Sequence, residues 1–254
     1  MTDSKERFSG RAGRYAQYRP GYPAEAVDWI ISQTGIEPGA MAADIGSGTG
    51  KFTRLLLERG YRVQAVEPNQ NMREAAEQEL SGHPGFTSLP FSAEETGIAG
   101  GSVDLITSAQ AFHWFDREKC KAEWKRILKP GGMAVLVWNA RSDEYGQDSG
   151  LMAEYGAAIK KWSVNYPFTQ QDNMTPAVYA AFFGGGYEEK HFHWRQPYTY
   201  DELLGFSLSK SYAPLPGHEH YEPLAEALKD IMERYGEGGV VYLQYQTEVI
   251  LGRL

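Results

Sequence analysis

The chain of 254 residues has a single cysteine, Cys120. That excludes an internal disulfide and fits a reducing compartment. No apolar run approaches the roughly 18 residues that a membrane span needs. The opening MTDSKERFSG is polar and lacks the apolar core of a signal peptide. A cytoplasmic protein is the expectation. Basic residues are in deficit, with 25 Lys and Arg against 33 Asp and Glu and a formal net charge of −8. A broad phosphate-binding surface has little to build on, because nucleic-acid domains are usually basic. Neither nucleic acid nor membrane is expected as a partner. Internal repeats and low-complexity tracts are absent too. What remains is ordinary globular composition, with 42% hydrophobic and 23% charged residues. Aromatics are plentiful, including 16 Tyr and 6 Trp, and many lie outside the apolar runs that read as strands.

Those runs alternate with helical segments. Strands are predicted at 41–46, 62–67, 86–91, 103–109 and 133–138. Helices are predicted after Pro23 and at 52–59, 69–80 and 117–128, the last ended by the Lys129-Pro130-Gly131-Gly132 turn. Near-continuous apolar strands alternating with helices imply a parallel sheet covered on both faces. The fold class is therefore α/β: a doubly wound, mostly parallel Rossmann-like sheet with a C-terminal antiparallel strand and an aromatic-rich lid insertion. Four stretches of one domain are expected. Residues 1–22 form an N-terminal lid segment and 23–140 a cofactor-binding core. Residues 141–215 form a substrate-side insertion, with helices near 150–162 and 201–210. Residues 216–254 supply a C-terminal helix (221–235) and a strand (240–251) that complete the sheet, and 187–194 can pair with that strand.

The sharpest signal is Asp44-Ile45-Gly46-Ser47-Gly48-Thr49-Gly50, set between a strand and a helix. Alternate glycines let the backbone turn tightly and approach a ligand, and the helix start behind them offers free amides. A dinucleotide loop spaces its glycines as Gly-x-Gly-x-x-Gly, whereas here the third comes one residue early. Asp44 opposes a pyrophosphate and suits a ligand carrying an ammonium group. The Lys-Ser/Thr ending of a Walker loop is absent. Glu67 ends the next strand, where a carboxylate accepts hydrogen bonds from both hydroxyls of a ribose, and Pro68 turns the chain after it. Together these features describe a nucleoside-bearing ligand without a demanding phosphate.

On these residues the sequence resembles class I S-adenosylmethionine-dependent methyltransferases over about residues 10–140. The glycine motif matches in full and Glu67 falls on the ribose-binding acid. Ser92-Ala93-Glu94 falls on the adenine-flanking position, where many relatives carry Asp in place of Ser92. Leu128 through Gly132 match the usual LKPGG stretch. Residues 12–23 (AGRYAQYRPGYP) and 108–116 (SAQAFHWFD) are similar to a small-molecule branch that includes relatives of trans-aconitate methyltransferase. The resemblance implies S-adenosylmethionine as cofactor, with Tyr18 and Arg19 near its methionine end. The expected cofactor contacts are Tyr18, Arg19, Asp44, Gly46, Ser47, Gly48, Thr49, Gly50, Glu67, Pro68 and Met72, with Ser92, Ala93, Glu94, Ser108, Ala109, Gln110 and His113.

Methyl transfer is an in-line displacement at an activated carbon, so the protein mainly aligns the reactants and excludes water. No catalytic dyad is visible, and none is required. His113, after the fourth strand, is the candidate general base. It is equally a candidate holder of the methionine part, or a structural histidine. Arg19, Trp114, Asn139 and Arg141 are candidate contacts for a small organic acceptor, since guanidinium groups suit carboxylates. Asp116 is expected to cap the helix that follows it. His191 and His193 alternate along a strand, and His218 and His220 are similarly spaced in a loop. No third ligand has a convincing spacing, so no metal is expected. The leading function is methyl transfer to a small acceptor, as O-methylation and with a carboxylate as the candidate group. A nicotinamide-dependent oxidoreductase and a non-catalytic S-adenosylmethionine-binding protein are the alternatives.

Overall fold

A computed structural model describes residues 18–141, 150–164, 174–210 and 212–254. The sheet comprises β1 (Met41–Ile45), β2 (Arg62–Val66), β3 (Phe86–Leu89), β4 (Val103–Ala109), β5 (Leu128–Arg141), β6 (Tyr187–Tyr198) and β7 (Val241–Gly252). Its spatial order is β3-β2-β1-β4-β5-β7-β6. The first five strands in chain order pair in parallel. β7 runs antiparallel between β5 and β6, so 187–194 does pair with the C-terminal strand. Strand order reverses between β1 and β4. In open α/β sheets such a reversal leaves a crevice at the carboxyl ends of the strands, and ligands bind there.

The helices are α1 (Ala24–Thr34), α2 (Lys51–Leu57), α3 (Gln70–Leu80), α4 (Arg117–Ile127), α5 (Leu151–Trp162), α6 (Pro176–Phe183), α7 (Tyr200–Leu208) and α8 (Tyr221–Tyr235), with a 3₁₀ turn at Phe112–Trp114. Their ends follow local chemistry. Gly35, at φ 62°, closes α1. The Asn69 side chain accepts from Met72 N–H to start α3, and Asp116 accepts from Lys119 N–H to start α4 as expected. Thr199 and Glu202 form a capping box on α7.

Successive strand residues pack to opposite faces. Ala42, Leu105, Val135 and Val137 bury against α1 and α2. Ala43, Ile106, Leu136 and Trp138 bury against α4 and α6. A third core of Tyr155, Tyr198, Phe206, Leu228 and Tyr245 joins α5, α7 and α8 to the β7 end of the sheet.

Two sequence readings need correction. The Lys129-Pro130-Gly131-Gly132 turn is the lead-in of a longer β5, joined to β4 through a register shift between Val103 and Leu105. Helix α6 has no counterpart in the reading from sequence. Its apolar residues run all the way round and leave no amphipathic stripe: Tyr179, Phe182 and Phe183 are buried on the side facing α4 and β6, while Pro176, Ala177 and Ala181 are small apolar residues left exposed.

Candidate functional site

The three glycines of the loop after β1 have three different reasons to be glycine. All have positive φ: 71° at Gly46, 56° at Gly48 and 78° at Gly50. A Cβ on Gly46 would stand 2.5 Å from Ala111 Cβ and 2.9 Å from Phe115 Cζ, so the loop packs hard against the exit of β4. A Cβ on Gly50 would stand 2.6 Å from Leu80 Cδ1, so α2 begins tight against α3. A Cβ on Gly48 would meet nothing within 4 Å. Gly48 alone faces open space. Gly46 and Ser47 both donate to Val66 O, at 2.8 and 3.1 Å. The Thr49 hydroxyl is buried without a hydrogen-bond partner.

Glu67 holds this loop in place. Its Oε2 accepts from Gly48 N–H at 2.9 Å and its Oε1 from Asn69 N–H at 2.8 Å. Burial pushes the carboxyl up from its ordinary range, against the two backbone N–H donors and Arg73, which pull it down.

Asp44 does not present its carboxylate to the crevice, where an ammonium group was expected to meet it. It is fully buried. Its Oδ2 accepts from Thr53 Oγ1 at 2.6 Å and its Oδ1 from Thr107 Oγ1 at 2.9 Å. The residue braces β1, α2 and β4 beneath the loop. Burial raises its pKa to about 6 against those two hydroxyl donors. Thr53 and Thr107 carry no sequence signal of this role, because only the Asp44–Thr107 strand register brings them together.

The exit of β4 forms the opposite lip. Gln110 is at φ 59°, the one positive value outside glycine among the described residues. Such backbone strain persists only where its surroundings enforce it. Here the Gln110 N–H donates to Val137 O and its Nε2 to Asn139 O, at 2.9 and 2.7 Å. Ser108 is fully buried, with a hydroxyl that has no hydrogen-bond partner. Ala109 packs partly against the α1–α2 core. The His113 ring lies between Trp114 and Trp138, with centroids at 4.7 and 5.4 Å. Burial pushes its pKa down to about 4, and its Nδ1 is buried without a partner. The ring is therefore neutral at pH 7.

After β3, Ser92 makes an isolated bridge to Glu95 and Ala93 is buried. Glu94 Oε1 accepts from Asp116 N–H at 3.0 Å, which links this turn to the start of α4. Met72 is buried in α3, and Pro68 is exposed.

On the acceptor side, Asn139 is committed to structure, contrary to its expected role as a substrate contact. Its Nδ2 donates to Gly21 O at 2.7 Å and its Oδ1 accepts from Thr247 Oγ1 at 2.5 Å. It pins the N-terminal segment across the sheet. Tyr22 meets Phe52 edge to face, and the Tyr18 ring lies against Gly205 of α7. Residues 1–17 of the expected N-terminal lid segment lie outside the described residues, as do 142–149 and 165–173 of the expected insertion. Arg141 is 4% exposed, with Cζ 5.2 Å from the Tyr155 ring centroid. Lys210, unnoticed in the sequence, is 2% exposed, and its Nζ stands 5.1 Å from the same centroid. Its ammonium donates to Tyr155 Oη at 3.3 Å. The positive charge of Arg19 acts on Tyr198, which is hydrogen-bonded to Tyr245 at 2.9 Å. Arg19 and Arg141 thus share one tyrosine-rich surround with Lys210. Cys120 is fully buried and burial pushes its thiol well up, so it is no nucleophile.

Residues 43–136 match a methyltransferase domain family. An uncharacterized methyltransferase of Mycobacterium tuberculosis is 39% identical over 139 residues, which are 55% of this chain and 54% of that protein. The chain spans about half the length of the curated relatives it matches. A solved structure from Anaeromyxobacter dehalogenans, described as a candidate type II methyltransferase, matches with a TM-score of 0.67 at 23% identity. It covers 93% of this chain and 98% of its own. Phosphoethanolamine N-methyltransferase 2 of Haemonchus contortus matches with a TM-score of 0.55 at 16% identity, over 97% of this chain and 58% of its own. It was solved with phosphomonomethylethanolamine and S-adenosylhomocysteine. At these identities the likeness is one of fold. Residues 43–136 match the methyltransferase domain family, and the sheet that contains them has a Rossmann-like fold shared with solved methyltransferase structures.

Proposed function

We propose that the chain transfers a methyl group from S-adenosylmethionine to an oxygen of a small organic acceptor, and that this oxygen belongs to a carboxylate. The observation that carries the cofactor reading is the pairing of Gly48 with Glu67. One glycine of the loop faces open space while its own N–H is held by the acid at the end of the next strand. Buried hydroxyls without partners at Thr49 and Ser108 fit a polar ligand in the same crevice. The Haemonchus contortus enzyme, of the same fold, was solved with the demethylated cofactor.

When bound, S-adenosylmethionine supplies a sulfonium-activated methyl group. The chain's own residues bind, align and exclude water. Glu67 is placed to accept from ribose hydroxyls while it orders Gly48. Asp44 acts beneath the loop by fixing β1 to β4 through Thr53 and Thr107. A neutral His113 walls the site without placing a like charge beside a sulfonium, and its Nδ1 is available for a hydrogen bond. A base with a pKa of about 4 has little power to deprotonate an alcohol or a phenol at pH 7. A carboxylate acceptor is already ionised and needs no base. Arg141 and Lys210, buried around one tyrosine ring, supply the positive field that suits such an anion.

The test combines binding with turnover. S-adenosylmethionine at about 100 times its dissociation constant stabilises the fold by ~2.7 kcal/mol, a rise in Tm of roughly 5–10 °C. NAD is expected to give no rise. Glu67→Ala is expected to weaken the cofactor by about 2 kcal/mol, from two charge-assisted hydrogen bonds. Methyl transfer from isotopically labelled cofactor to a panel of organic acids, with their amides as controls, then tests the acceptor. Transfer to the amides and not to the acids would remove the carboxylate reading.

A further inference from the structure

The polar face of the β6–β7 ladder carries a cluster that methyl transfer does not use. His191 of β6 lies directly opposite Glu248 of β7, so the two side chains share one face of the sheet. Glu189, two residues earlier on β6, projects from that same face. His191 Nε2 stands 2.6 Å from Glu189 Oε1 and 4.0 Å from Glu248 Oε1. One ligand atom from each of the three lies within 4.8 Å of the others.

We propose that Glu189, His191 and Glu248 bind a divalent first-row metal ion, zinc in the first instance. The donor set is one imidazole nitrogen and two carboxylate oxygens. The nitrogen turns preference away from calcium and magnesium, which take all-oxygen sites. Tetrahedral ligands about 2.0–2.2 Å from zinc stand roughly 3.3–3.6 Å apart. The two spacings from His191 Nε2 fall on either side of that separation, and side-chain rotation within the cluster is the adjustment the site requires. The fourth position faces solvent, because Glu189 and His191 are exposed.

Charge and the surrounding hydrogen bonds favour a cation here. Glu248 ion-pairs with no Lys or Arg among the described residues; its recorded charge partner is His191. The Glu189 and Glu248 carboxylates repel each other across one imidazole. A cation between the two carboxylates turns that repulsion into attraction. Supporting groups are also in place. Tyr179 Oη donates to Glu248 Oε2 at 3.3 Å, and the Gln246 side-chain amide hydrogen-bonds His191 Nδ1. Such partners orient metal ligands. With the ion bound, the neutral ring gives the Nε2 lone pair to the metal and carries its proton on Nδ1, so the Gln246 side-chain amide, whose Nε2 faces Nδ1 in this structure, turns its oxygen to accept. Two ligands on β6 and one on β7 make the ion a clamp on the edge strand.

The experiment uses the full, untagged chain after chelator treatment, titrated with Co²⁺ and followed by its visible d–d absorption, and with Zn²⁺ by calorimetry. One equivalent is expected to bind, with tetrahedral cobalt absorption and a Tm that rises with zinc. His191→Ala and Glu248→Gln are each expected to raise the dissociation constant by more than about tenfold and to abolish the Tm rise. His218→Ala, in the other histidine pair, is expected to bind as wild type does. Both ligand variants lie on the sheet surface, and circular dichroism checks that they fold. No saturable one-equivalent binding, or equal affinity in wild type and both variants, overturns the proposal.

Discussion

Gly48 N–H donates to Glu67 Oε2 at 2.9 Å, across 19 residues of sequence. The glycine loop and the acid at the end of β2 are therefore one unit. A ligand that engages either one feels the placement of both. Damage to Glu67 is expected to disorder the loop as well as to remove a contact.

The glycines of the loop are expected to separate by phenotype. Gly46→Ala puts a methyl group 2.5 Å from Ala111 Cβ, and overpacking of this kind costs about 1–3 kcal/mol of stability. Gly48→Ala meets no atom and is expected to cost only ~1–2 kcal/mol, for the left-handed backbone. Gly48→Val is expected to abolish cofactor binding in a folded protein, because the side chain fills the ligand's approach. Urea unfolding and cofactor titration on the three variants check this. Wild-type affinity in folded Gly48→Val would remove the loop from the site.

The buried Asp44 makes stability depend on pH with a definite sign. In the folded chain it keeps its proton up to about pH 6, whereas unfolded it ionises near the ordinary value of about 4. Between those values unfolding releases a proton, so rising pH favours unfolding through this group. Asp44→Asn lacks that dependence. From pH 4 to pH 7, wild type is expected to lose on the order of 2–3 kcal/mol relative to Asp44→Asn. Chemical denaturation of both proteins at the two pH values measures it, and a constant difference contradicts the assignment.

His113 stays neutral down to about pH 4. Turnover is expected to show no limb from this residue between pH 6 and pH 8. His113→Gln is expected to lower kcat roughly tenfold, through lost positioning, and to leave the profile flat. A limb near pH 6.5 in wild type that vanishes in His113→Gln would instead make the residue a proton carrier.

Asn139 ties Gly21 to β5 and, through Thr247, to β7. Asn139→Ala is expected to cost about 1–3 kcal/mol, for two lost hydrogen bonds. It is also expected to speed proteolysis around residues 18–22. A cleavage rate equal to wild type would show that the segment is held by other contacts.

The sheet and the glycine loop were legible in the sequence because they depend on local patterns. Apolar runs, caps and alternate glycines announce themselves within a dozen residues. The roles of Asp44, Asn139 and the Glu189–His191–Glu248 cluster were not, because each depends on strand register. Asp44 meets Thr107 across 63 residues, and His191 faces Glu248 only once β6 and β7 are aligned. Asp44 read as a ligand contact because it adjoins the loop, yet burial spends both of its oxygens on threonines. Lys210 gave no signal, since nothing around a lone lysine in sequence marks it as buried.

The position of β7 bears on how the protein is made. It is synthesised after β6 but lies between β5 and β6. While a ribosome is still translating residues 199–240, β6 has none of its twelve sheet partners, and β5 presents a bare edge beside it. Those two edges can pair wrongly with each other or with neighbouring nascent chains. Nascent chains stalled before Val241 are therefore the species most exposed to aggregation, and the ones on which chaperones have most to do.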